Sequence, residues 1–162
     1  AGTFPLPEAQ LDRFLLKLSI GYASPEHEEE VLAANSRREA ILDLKPVLDT
    51  ENVTAMMEWA AGVEVSQPMR RYMVDLCQET RSDPALAVGA STRASLSLLR
   101  AARVLAASQG REDVIPDDVK TLAKAVLAHR LLLSPDAALR GELLDDVIER
   151  IIARVRVPAG VA

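Results

Sequence analysis

Cysteine occurs once, at Cys77, so the chain has no disulfide framework and no cysteine-based metal site, and a reducing compartment fits. Aromatic residues make up only 3% of the 162 residues, which disfavours a β-sandwich. No apolar run approaches the roughly 20 residues that a membrane-spanning helix needs. The opening stretch AGTFPLPEAQ lacks both a basic n-region and an apolar h-region, so it is no signal peptide and reads as mid-domain sequence. There is no phosphate-cradling GxxxxGK[ST] loop and no following strand ending in paired acids. Positive charge is not in excess either. A net charge of −5 argues against broad nucleic-acid binding, although a local basic patch escapes that average.

What is present is an apolar fraction of 49%, dominated by Ala and Leu, with 27% charged residues. That balance belongs to a globular protein of close-packed helices. The short helix predicted over 6–14 leads into LLKLSIGY at 15–22, which alternates with the period of a strand: Leu16, Leu18, Ile20 and Tyr22 on one face, Leu15, Lys17, Ser19 and Gly21 on the other. No second segment of that length can complete its sheet. GVEVS at 62–66 and DVIP at 113–116 can at most pair with each other. The strand is therefore expected to pair with another copy, to lie against the helices or to be poorly ordered.

Helices follow. Ser24-Pro25 opens one that ends near Asn35, with acidic residues in its first turn, and a second short stretch is expected at 37–44. Asp49 or Thr50 caps 51–61, with Val53, Met56, Met57 and Ala60 on one face. The helix that starts after Ser66 and Pro68 and runs to about Arg81 carries Met69, Tyr72, Met73, Leu76 and Cys77 at core spacing, which makes Cys77 a buried thiol. An Ala-rich helix spans 92–108 and stops at Gly110. Pro116 opens another, and the last runs from about Glu142 to Arg154 with Leu143, Leu144, Val147, Ile148, Ile151 and Ile152 inward and Asp146 spaced to meet Arg150. These elements predict a helical bundle.

Few side chains invite chemistry. His27 sits in a solvated glutamate-rich turn, and His129 ends an amphipathic helix, where a cation favours the dipole; neither has ligand spacing, and the acidic run 26–30 lacks a calcium-loop pattern. Two arginines stand apart. Arg93, in GASTRAS, lies in the first turn of its helix behind the cap Ser91, where a positive charge opposes the dipole unless an anion binds there. A solvated surface arginine is the equally open alternative. Arg13, in EAQLDRF, is read most simply as a salt-bridge partner of Asp12 or Glu8.

The two arginine segments also carry a family resemblance. GTFPLPEAQLDRFLLKLSIGYASPEHEEEVL resembles the stretch after the sensor-1 strand of MoxR-family AAA+ ATPases. QETRSDPALAVGASTRASLSLLRAARVLAASQGREDVIPDDVKTLAKAVLAHRLLL is similar to that family's helical lid. The resemblance implies a mainly α fold: a lid bundle preceded by a short helix and one strand left over from an α/β AAA+ core. It places the core remnant at 1–23, the lid at 24–157 and a tail at 158–162. By the same resemblance Arg13 matches the arginine finger that reaches a neighbouring subunit's γ-phosphate, and Arg93 the sensor-2 arginine, with Ser91 and Thr92 at a helix N-terminus near phosphate. Arg81 matches a recurrent family position of unassigned role. The intact protein is expected to use ATP and Mg²⁺, to form a homo-oligomeric, hexameric ring in the cytoplasm, and to remodel client proteins, von Willebrand factor A-domain proteins among them. The fragment alone, lacking the Walker motifs, is expected neither to hydrolyse ATP nor to hold it tightly. Thr92 stands where the family usually has Pro, and Ile115 where it often has Ser or Thr, a lost cap worth about 1 kcal/mol. The rivals are a free-standing helical protein-binding adaptor and the same segment of a magnesium-chelatase- or helicase-like AAA+ protein.

Overall fold

The structure, a computed structural model, describes residues 6–35 and 44–158. It divides into two compact units: one joins the N-terminal residues through Lys17 to everything from Glu58 onward, and the other is Leu18–Met57. The expected helix at 37–44 falls almost wholly outside the described residues.

The larger unit is a helical bundle with a small sheet. It starts with the single-turn α1 (Glu8–Leu11). Its bulk is α4 (Gln67–Ser82), α5 (Thr92–Ser108), α6 (Pro116–Leu127) and α8 (Leu144–Arg154), with the short α7 (Pro135–Leu139) before α8. The amphipathic stripes read from sequence become the core. Met69, Tyr72, Met73, Leu76 and Cys77 of α4 are all at most 2% exposed, and Ala94, Leu98 and Ala102 of α5 are fully buried. Burial raises the Cys77 thiol pKa, as befits a core residue rather than a nucleophile. The alanines of α5 let α4 and α6 approach it closely. Val119, Ala123, Val126 and Leu127 of α6 and Val147, Ile148 and Ile151 of α8 close the core.

Three features depart from the sequence expectation. Residues 86–88 form a strand β1 that pairs antiparallel with β2 (Leu132–Leu133), where periodicity over so few residues is uninformative. Leu143 lies outside α8 and is 63% exposed. Arg150 bonds to Glu142 and Asp83, not to Asp146, because α8 packs on α4 and brings the buried Asp83 carboxylate within 3.4 Å. The expected meeting of 62–66 with 113–116 does form, as an isolated parallel bridge between Glu64 and Asp113. Ile115 gives α6 no side-chain cap, but Asp118 reaches back to accept the Ile115 N–H at 2.9 Å and is itself held by Arg111. Half of a capping box thus survives the lost hydroxyl.

The smaller unit holds α2 (Pro25–Asn35) and the first turns of α3 (Thr50–Gly62). Asp49 caps α3, accepting the Asn52 N–H at 2.7 Å. Val53, Met56 and Met57 are 44–68% exposed, so of the predicted inward stripe only Ala60 is buried. Periodicity reports amphipathy and not the presence of a partner. The expected strand at 15–22 enters no ladder among the described residues. Gly21 has φ +73, a left-handed turn that breaks the alternation, and Ile20 and Tyr22 are fully exposed.

The loop before α5 is pinned by α4. Thr80 Oγ1 accepts the Ala90 N–H at 2.9 Å, and Arg81 Nε donates to the Ala90 carbonyl at 2.6 Å. This gives Arg81 a structural role. A Cβ on Gly89 would lie 2.7 Å from the Arg81 Cα and 2.9 Å from its backbone N. Gly89→Ala is therefore expected to destabilise the chain by about 1–3 kcal/mol, read by urea unfolding, because backbone rather than a flexible side chain must yield.

Candidate functional site

The start of α5 and the segment 12–17 meet around one buried guanidinium. Arg130 follows α6, and its side chain is 1% exposed. Nε donates to Asp12 Oδ1 at 3.1 Å. Nη2 donates to the Phe14 carbonyl at 2.6 Å, to Ser97 Oγ at 2.9 Å and to the Asp12 carbonyl at 3.3 Å. Nη1 donates to the Val126 carbonyl and, at 3.4 Å, to the Leu15 carbonyl. Every N–H has an acceptor, as a buried charge requires. Burial lowers the Arg130 pKa, and the Asp12 carboxylate opposes that shift and holds the group cationic.

Asp12 is the second centre. Besides Arg130, its carboxylate accepts from Ser91 Oγ at 3.0 Å and faces Arg93 Nε at 3.5 Å. Ser91 caps α5 as read from sequence, accepting the Arg93 N–H at 3.2 Å, and Thr92 takes the first helical position. An anion thus does sit against Arg93 at the positive end of α5, and it is a carboxylate of the chain itself. The Arg93 side chain is 59% exposed, so the ion pair is screened and weak, while its guanidinium stays accessible. Arg13 is exposed and makes no ion pair among the described residues. The simple reading of an Arg13–Asp12 bridge fails, because Asp12 is turned towards Arg93 and Arg130.

Sequence reasoning missed Arg130 and gave Asp12 the wrong partner. A lone Arg after a helix has no periodic signature; only the fold brings residues 12 and 130 together. His129 also differs from expectation. It lies past the end of α6, half-buried, and its Nε2 meets the Phe14 carbonyl at 3.0 Å. Burial, with help from Arg130 and Lys17, pushes its pKa below the ordinary imidazole value, although the Phe14 contact opposes this. Near neutral pH it is an uncharged donor, not a dipole-paired cation. The backbone N–H of Lys17 donates to the Ala125 carbonyl at 2.9 Å and completes the docking.

A depressed folded-state pKa means that the unfolded chain binds the extra proton first. The His129 contribution is therefore complete above about 6.5, the ordinary value, and is lost as pH falls below it. Urea unfolding between pH 7.5 and 5 is expected to show a smaller loss of stability in His129→Gln than in the wild type; equal losses would show that His129 is not held neutral.

A family model described as the AAA lid domain matches residues 78–151. YeaC of Bacillus subtilis is 38% identical over 157 residues, which cover 97% of this chain and 49% of that protein. The chaperone MoxR1 of Mycobacterium tuberculosis is 39% identical over 166 residues, covering 97% of this chain and 44% of its own. The protein MoxR of Paracoccus denitrificans is 31% identical, with 97% and 52% covered. A crystal structure assigned to an ATPase of Cytophaga hutchinsonii superposes with a TM-score of 0.86 at 30% identity, over 98% of this chain and 51% of that one. The chain spans about half the length of the curated relatives it matches. With a helical bundle where the lid is expected and the two arginine segments meeting at its face, the chain carries an AAA lid domain and is similar over nearly its whole length to MoxR-family AAA+ ATPases.

Proposed function

We propose that this chain supplies two arginines to an ATP site completed by the rest of the full-length protein: Arg13 as a finger towards a neighbouring subunit's nucleotide, and Arg93 as the sensor-2 residue. Residues 1–23 are then the end of the AAA+ core, 24–157 the lid and 158–162 a tail. The observation that carries this reading is the start of α5, where the Ser91 hydroxyl and the Arg93 guanidinium already receive a carboxylate. That seat fits a phosphate oxygen in charge and donor type. Arg93 would hold the nucleotide there, with Ser91 and Thr92 lining the helix end. Mg²⁺ would be held by groups outside this chain. Bound ATP supplies the phosphoryl group, and an arginine aimed at it offsets developing charge, worth several powers of ten in rate where it acts.

The intact protein assembles as a ring, most simply a hexamer, because a finger that acts on a neighbour has no substrate in a monomer. Its work is chaperone-like remodelling of client proteins in the cytoplasm, in keeping with the chaperone MoxR1 among its relatives. Von Willebrand factor A-domain proteins are the partner class to test first.

In the full-length protein, Arg13→Ala and Arg93→Ala are each expected to lower ATP turnover by at least tenfold. Mixing Arg13→Ala subunits with subunits defective in their own phosphate-binding loop should restore activity, since each supplies what the other lacks. Wild-type turnover in both variants, or no rescue on mixing, would overturn the assignment.

A further inference from the structure

The local chain around Arg13 cannot fix where that side chain points. α1 has four residues, too few to hold a helix by itself, and the segment after it joins no sheet among the described residues. What fixes it comes from the other end of the chain. Arg130 donates to the carbonyls of Asp12, Phe14 and Leu15, on both sides of Arg13, and to the Asp12 carboxylate. His129 holds the Phe14 carbonyl as well, and Ala125 receives the Lys17 N–H. Arg13 lies between these fixed points with its own side chain free to solvent.

The same Asp12 carboxylate touches Ser91 and Arg93. One buried arginine and one acid therefore tie Arg13 to the helix that carries Arg93, and residues through Lys17 belong to the same compact unit as that helix. We propose that Arg130 and Asp12 are positioning residues that fasten Arg13 to the lid, so that the arginine offered to a neighbouring subunit moves together with Arg93. The proposal rests on the reading of Arg13 as a finger. Both act by holding the backbone that aims Arg13, Arg130 through its bonds to the carbonyls on either side of it and Asp12 through its bond to Arg130. A lid movement in one subunit would then displace the finger presented to the next, which couples adjacent sites through rigid contacts rather than through a flexible hinge.

A double-mutant cycle in the full-length protein tests this. Arg130→Lys keeps the charge but loses the planar fan of donors that reaches four carbonyls, three of them in the segment around Arg13. It is expected to lower kcat for ATP on the order of tenfold with KM unchanged, since a misaimed finger weakens only the transition state. In an Arg13→Ala background the same substitution should change kcat less than twofold, because there is no finger left to misplace. Asp12→Asn, isosteric and partly exposed, repeats the cycle if Arg130→Lys melts at a lower temperature than the wild type. General damage would lower kcat by the same factor in both backgrounds, and that result, or unchanged kcat in both variants, would overturn the proposal. Failure of the finger reading is seen separately: Arg13→Ala alone would then turn over ATP at the wild-type rate.

Discussion

Arg130 is the interaction on which the arrangement depends. A guanidinium taken out of water is tolerable only when each donor finds an acceptor and a counter-charge lies close. The lid supplies two of the acceptors, the Val126 carbonyl and Ser97. The remainder come from residues 12, 14 and 15. Without that segment the lid would hold an under-satisfied buried cation, at a cost of about 3–5 kcal/mol. The need of the lid to satisfy Arg130 is therefore the force that docks the N-terminal segment, and a feature of the core of one element determines the placement of a residue in another.

From that constraint the site follows. Asp12, drawn in by Arg130, is left beside the N-terminus of α5, where Ser91 and Arg93 share it. The loop leading to α5 is itself held by Thr80 and Arg81 and by the close approach at Gly89. Arg93 thus stands on a rigid base while its own side chain stays exposed. A side chain built this way loses little entropy if it meets an anion, because only that one side chain has still to be ordered.

Much of the fold could be read from the sequence, for an identifiable reason. Helices α4, α5 and α6 carry long stripes of period 3.6, with caps at Ser66 and Ser91 and Pro116 at the first position of α6, so local propensity and tertiary packing agree. The same stripe on α3 misled, since Met56 and Met57 stay exposed. The alternation at 15–22 finds no ladder among the described residues, as its lack of a second strand led one to expect: a strand is a property of paired segments, and Gly21 turns the chain. In the site, Ser91, Thr92 and Arg93 were legible because caps and dipoles are local. Asp12 and Arg130 were not, because a contact across 118 residues leaves no spacing to read. His129 was misjudged as a cation since its helix position was visible and its burial was not.

The most direct test of the docking is amide hydrogen exchange at Lys17 in this chain. Its N–H donates to the Ala125 carbonyl, beside the Arg130 cluster, and neither a helix nor a ladder protects it. If Arg130 holds the segment to the lid, this amide exchanges slowly, within about tenfold of the amides of α6. Exchange at the rate of an unstructured chain, while α6 remains protected, would show that the segment is not docked and would contradict the account.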